Sequence, residues 1–110
     1  LGYSLADRGI RLDEAQQLIG KALELAPNDP FIMDSMAWLM FRKGDLAQAQ
    51  QILEQAFAKR ADAEIAAHLG EVLWAQGKKE QAKEVWQQGL SASPKNEALK
   101  ETLSRLQVAL

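Results

Sequence analysis

Gly44-Asp45-Leu46-Ala47-Gln48-Ala49-Gln50-Gln51-Ile52-Leu53-Glu54-Gln55-Ala56 and Gly77-Lys78-Lys79-Glu80-Gln81-Ala82-Lys83-Glu84-Val85-Trp86-Gln87-Gln88-Gly89 are two copies of one pattern. Superposed at an offset of 33, they match Gly44 with Gly77, Ala49 with Ala82, Leu53 with Trp86 and Ala56 with Gly89. Upstream, Ala15, Ile19 and Ala22 match Ala49, Leu53 and Ala56 at an offset of 34. A small, a large and a small side chain spaced four and then three apart lie on one face of a helix. A period of roughly 33–34 residues containing two amphipathic helices marks a solenoid, in which each unit buries its apolar face only against its neighbour. Arrays of this kind present an extended surface to other molecules and rarely carry out chemistry.

The bulk composition agrees with that reading. The 110 residues are 47% hydrophobic, with three prolines and an abundance of Ala, Leu, Gln, Glu and Lys, all strong helix formers. A net charge of −2 argues against a nucleic-acid face, which needs clustered Lys and Arg. There is no run of five like charges to form a polybasic membrane patch. The absence of cysteine excludes disulfides and thiolate metal sites but leaves the compartment open. No stretch approaches 18 consecutive apolar residues. The chain opens at Leu1 without a methionine and part-way through a repeat, as a piece of a longer protein would.

Punctuation along the chain divides it into helices. Leu1, Tyr3 and Leu5 read as the tail of a helix closed by Gly9. The next helix, about 12–26, has Ala15, Leu18, Ile19, Ala22 and Leu25 as its expected buried stripe. Asp29 reads as an N-cap and Pro30 as the first helical residue, opening a helix to about Lys43 with Met33, Met36, Ala37 and Met40 inward. These methionines read as core filler rather than as a metal or oxidation-sensing site. After Gly44, Asp45 and Gln48 form a capping-box pattern for a helix to about Lys59 that buries Leu46, Ala49, Ile52, Leu53 and Ala56.

Asp62 caps a fifth helix, with Ile65, Ala66, Leu69, Gly70 and Leu73 inward, ending at Gly77. A sixth, about 79–91, buries Ala82, Val85, Trp86 and Leu90. Beyond Pro94, Leu99, Leu103, Leu106 and Leu110 form the apolar stripe of a terminal helix whose polar face covers the end of the stack. The chain thus divides into a partial repeat (1–29), two full repeats (30–62 and 63–94) and a capping helix (95–110).

Residues 30–94 resemble the tetratricopeptide repeat, whose signature places Trp, Leu-Gly and Tyr in a first helix and Ala, Phe, Ala and Pro in and after a second. The third unit offers Ala66, Leu69-Gly70, Leu73, Ala82, Trp86, Gly89 and Pro94 at those positions, and the second offers Met33, Met36-Ala37, Met40, Ala49, Leu53, Ala56 and Ala61. The partial unit offers Leu1-Gly2, Leu5, Ala15, Ile19, Ala22 and Pro27, with one extra residue in its turn. The signature Trp and Tyr are replaced, and Ala61 stands where proline is usual. The resemblance implies an all-α, right-handed solenoid of antiparallel helix pairs.

Segments 1–8, 34–38 and 66–74 are also similar to the last repeats of long tetratricopeptide proteins of Gram-negative bacteria, some of them outer-membrane lipoproteins. That similarity implies a scaffold or adaptor on the periplasmic side of the outer membrane, with a periplasmic protease or another envelope protein as partner. The cytoplasm is the alternative compartment.

In the family the first helix of each pair lines a concave face. Here that face would collect Tyr3 and Asp7, then Phe31, Asp34, Ser35, Trp38, Phe41 and Arg42, then His68, Glu71 and Trp74. An aromatic groove with a few charges suits an extended peptide or an amphipathic helix of a partner protein. The bland alternative is that Trp38 and Trp74 pack between neighbouring helices. The Lys/Asn clamp that some repeats use for a C-terminal carboxylate is absent, Asp34, Trp38, Ala67 and Glu71 standing at its positions, so a chaperone-tail receptor is not expected.

His68 beside Asp34 and Ser35 evokes a hydrolase, but nothing supplies an oxyanion hole or a strained nucleophile turn. His68 is expected instead to bond Asp34 or Glu71. No catalytic residue, cofactor or metal is expected. The rival to a binding module is an inert end of a longer array that caps, spaces or self-associates. Apolar surface from Ile19 and Leu23 is the expected seam of a dimer of the isolated chain.

Overall fold

Each helix of the chain starts and stops where local chemistry permits. The structure, a computed structural model, describes residues 12–110; Leu1, Tyr3, Leu5, Asp7 and Gly9 lie outside the described residues. The elements are α1 (Leu12–Leu25), α2 (Pro30–Arg42), α3 (Leu46–Lys59), α4 (Ala63–Ala75), α5 (Lys79–Ala92) and α6 (Glu97–Leu106), with no strand among the described residues. Asp29 Oδ1 accepts from the Phe31 and Ile32 amides at 2.9 and 3.3 Å, ahead of Pro30, which lacks the donor that would be orphaned there. Asp45 accepts from Gln48 N, Asp62 from Glu64 N and Ile65 N, and Asn96 from Leu99 N. Each such cap is worth about 1 kcal/mol.

The ends of α2, α4 and α6 share one hydrogen-bond pattern. Gly44 N bonds Phe41 O and Asp45 N bonds Met40 O; Gly77 N bonds Trp74 O and Lys78 N bonds Leu73 O. Gly44 and Gly77 take positive φ (90° and 83°), as this left-handed cap requires. At the end of α6 the bonds are Gln107 N to Ser104 O and Val108 N to Leu103 O, and Gln107 adopts φ 58°. A side chain there costs energy that glycine does not. Gln107→Gly is expected to raise the unfolding free energy by about 0.5–1 kcal/mol, read as a higher midpoint in urea.

Packing follows the repeat. α2 pairs with α3 and α4 with α5 most extensively, α1 lies against α2, and α3 bridges to α4. One core runs through Met33, Ala37, Ala49, Leu53, Ala56, Ile65, Leu69, Leu73, Ala82, Trp86 and Leu99. A smaller one joins Ala15 and Ile19 of α1 to Leu39 of α2, with Met36 and Met40 packed against it. Inter-repeat hydrogen bonds recur on the outer edge: Lys43 Nζ donates to Gln16 Oε1 at 2.8 Å, and Lys78 Nζ to Gln50 Oε1 at 3.0 Å. The acceptors Gln16 and Gln50 are themselves one repeat apart, so the repeat extends to its polar seams.

Three expectations are corrected. Leu18 and Leu25 do not belong to the buried stripe of α1; they are 42% and 89% exposed, because α1 turns only its Ala15 and Ile19 face to α2. Ile19 is buried and Leu23 half-buried, so the apolar seam expected from them is already used inside the fold. Leu110 is 47% exposed, since the left-handed turn at Gln107 ends the helix and brings Val108 onto the core instead.

Terminal helix α6 stands where the first helix of a further repeat would. Its N-cap Asn96 follows the N-cap Asp62 at an offset of 34, and it rests chiefly on α4, with slight contact to α5. In α4, Ala66 and Gly70 are the buried residues that meet α5. Their counterparts at the same offset in α6 are Lys100 and Ser104, both exposed.

Candidate functional site

Repeat geometry stacks α2, α4 and α6 side by side, and one recurring offset, 34 in sequence, pairs side chains across them. His68 Nδ1 lies 2.7 and 2.9 Å from the two carboxylate oxygens of Asp34. Glu71 and Arg105 form a bidentate pair, Nη2–Oε1 at 2.5 Å and Nη1–Oε2 at 3.0 Å, and Arg105 Nε also donates to Glu101 at 3.1 Å. Parallel guanidinium–carboxylate bonds fix orientation as well as distance. Hydrogen bonding to Glu71 is the largest influence on the Arg105 guanidinium and raises its pKa further, outweighing the opposing effect of partial burial. Both carboxylates of this ladder, Asp34 and Glu71, are buried, which keeps the partners in place.

A row of rings lies along the ladder. Trp38 stacks on His68 with centroids 4.3 Å apart and planes at 26°, and on Phe41 at 4.8 Å and 24°. Asp34 thus holds His68, His68 supports Trp38, and Trp38 supports Phe41. Above them opens a cleft of about 510 Å³ lined by Trp38, Phe41, Arg42, His68, Glu71, Ala98, Glu101, Thr102 and Arg105. That volume is within the range of clefts that take a small ligand or a few side chains.

Of the residues expected to line a groove, Trp38, Phe41, Arg42, His68 and Glu71 therefore meet around one cleft, with Asp34 behind His68. Trp38 forms its floor rather than a projecting anchor, being only 6% exposed. Three residues go elsewhere. Trp74 sits between α4 and α5, 5.7 Å from the Trp86 ring and beneath the Lys79 ammonium. Phe31, at the start of α2, lies under the Arg60 guanidinium at 5.5 Å. Ser35 Oγ donates to Phe31 O one turn back, so its hydroxyl is engaged within its own helix. Tyr3 and Asp7 lie outside the described residues. His68 bonds Asp34 rather than Glu71, whose oxygens go to Arg105.

Sequence reading misses the wall contributed by α6: Ala98, Glu101, Thr102 and Arg105. The signal is present in the chain. Arg105 follows Glu71 at an offset of 34, and Thr102 follows His68 at the same offset, but a terminal helix with a polar face reads only as a cover. Among the described residues, no group of three His, Asp or Glu could hold a metal ion, and no helix is long and apolar enough to cross a membrane.

Comparison with known proteins agrees with this architecture. The family model for the tetratricopeptide repeat matches residues 11–68 and again 40–106. A tetratricopeptide repeat-containing protein of Pseudomonas aeruginosa is 55% identical over 71 residues, 64% of this chain and 12% of that protein. Human tetratricopeptide repeat protein 7A is 38% identical over 79 residues, 71% of this chain and 9% of that protein. The matched segment thus spans about a tenth of the length of either relative. The first repeat domain of Spaghetti (RPAP3), solved bound to the HSP90 peptide SRMEEVD, superposes with a TM-score of 0.81 and 24% identity, covering 96% of this chain and 86% of that one. At that identity the likeness concerns the fold.

Proposed function

Because the chain belongs to the tetratricopeptide-repeat family, a family of protein-interaction modules, we propose that it is a non-catalytic adaptor that holds a segment of a partner protein in the cleft between α2, α4 and α6. The observation that carries this reading is the supported ring stack. Phe41, Trp38 and His68 are fixed in sequence by the buried Asp34 carboxylate, and they line an open cleft instead of closing it. A rigid aromatic platform loses little conformational entropy when a partner side chain is laid on it, which is why such residues dominate binding energy.

The solved neighbour holds a peptide, which is the same class of ligand. Resemblance to Gram-negative envelope proteins makes a periplasmic protease or other envelope protein the partner to try first. The test is binding of an arrayed peptide library to the chain, with Phe41→Ala compared at equal helicity by circular dichroism. A defined peptide set bound by the parent chain and at least about tenfold more weakly by Phe41→Ala supports the reading, since that ratio corresponds to the loss of one anchoring side chain. Binding indifferent to Phe41, or no binding at all, overturns it.

A second reading rests on α6. Lys100 and Ser104 replace the Ala66 and Gly70 that α4 offers to its second helix, so this end presents solvated side chains where a further helix would need an apolar face. On that reading the segment caps and spaces a longer array, and self-association would not run through this end. Absence of any peptide binding would leave that role standing.

A further inference from the structure

The charges around the cleft are not equally occupied. Glu71 gives both oxygens to Arg105, and Glu101 accepts from the same guanidinium. Asp34 gives both oxygens to His68. Arg42 lines the same cleft, is exposed, and has no carboxylate or carbonyl partner among the described residues. Its position explains how the fold tolerates this. Arg42 is in the last turn of α2, where the unpaired carbonyls of the helix end favour a cation. The fold therefore has no need to neutralise it with an acid, and its guanidinium N–H groups are left facing the cleft.

On the adaptor reading above, we propose that the cleft selects a segment carrying a carboxylate side chain, which pairs with Arg42, next to an apolar side chain laid on the Phe41–Trp38 stack. Phe41 and Arg42 both line the cleft, so a segment lying in it can meet the apolar and the cationic contact together. A basic segment is disfavoured by the same inventory. It would face Arg42 directly, and Glu71, the buried acid of the cleft, already gives both oxygens to Arg105. An internal carboxylate is sufficient, because the pairing needs only an oxygen pair opposite the guanidinium.

The experiment uses blocked peptides, N-acetylated and C-amidated, so that no terminal charge contributes. Three nonapeptides of Gly and Ser carry a central Glu-Phe, Gln-Phe or Lys-Phe pair, and binding to the full chain is measured by calorimetry at low and high salt. The Glu peptide is expected to bind at least about tenfold more tightly than the Gln peptide, with the difference shrinking in high salt. Arg42→Gln should abolish the difference, and Arg42→Glu should reverse it in favour of the Lys peptide. Arg42 is exposed, so both variants are expected to fold, and circular dichroism verifies it. Equal binding of the Glu and Gln peptides, or a preference that survives Arg42→Glu, overturns the selection. If Phe41→Ala still weakens that binding, the adaptor reading stands without it. If no peptide binds and the arrayed library also fails, both fall together.

Discussion

Trp86→Ala is expected to lower the unfolding free energy by about 3–5 kcal/mol. Trp86 is the largest of the fully buried side chains, at 0% exposure, and it joins the two helices of the third repeat. Its ring packs over Gly70 and beside Trp74, and its Nε1–H donates to the Ala67 carbonyl at 3.4 Å. Truncation leaves a void between α4 and α5 and removes a second donor from the Ala67 carbonyl. A domain of this kind has only about 5–15 kcal/mol of stability in total, so the variant should be substantially unfolded in mild urea. Each repeat contacts only its neighbours, so the damage should also be local. Amide hydrogen exchange should rise across α4–α6 more than across α1–α2. A loss below about 1 kcal/mol, or exchange rising evenly, would contradict the packing described for Trp86.

Gly70→Ala is the second large effect, and its sign is decided by tertiary contact against helix propensity. Within a helix alanine is favoured over glycine by about 1 kcal/mol. At Gly70 a Cβ would fall 2.6 Å from Trp86 Cδ1 and closer still to Nε1 and Cε2, and the buried indole has no room to withdraw. The overlap should outweigh the propensity, for a net loss of about 2 kcal/mol or more in urea unfolding. Gly20 supplies the control: nothing lies within 4 Å of a Cβ there, so Gly20→Ala should be neutral or stabilising. The substitutions at 70 and 86 share one contact and should not be additive. Adding Gly70→Ala to Trp86→Ala should cost little, because the atoms it strikes are gone. Full additivity would place the strain of Gly70→Ala elsewhere.

How much of this is legible beforehand varies by residue. Asp29-Pro30, Asp45 with Gln48, Gly44 and Gly77 announce their helix boundaries, because caps and left-handed turns are satisfied within a few residues of chain. The stripes Ala49, Leu53, Ala56 and Ala82, Trp86, Gly89 announce the packing face, because a stripe at helical spacing must be buried against something. Leu18, Leu25 and Leu110 mislead, since an apolar residue on a stripe is buried only if a neighbouring element covers it or the helix reaches it.

The cleft is half legible: register groups Trp38, Phe41, Arg42, His68 and Glu71, whereas Trp74 is drawn to Trp86 and the α6 wall is overlooked. What the sequence by itself determined is the repeat, its helices and the family, all consequences of local periodicity and capping. What only the tertiary structure decided is which partner each polar or aromatic group takes. Asp34 goes to His68, Glu71 to Arg105, and Arg42 to none of the described residues. The physical reason is that a hydrogen bond or ring stack depends on separations of a few ångströms between helices, and the linear pattern specifies those only to within a turn.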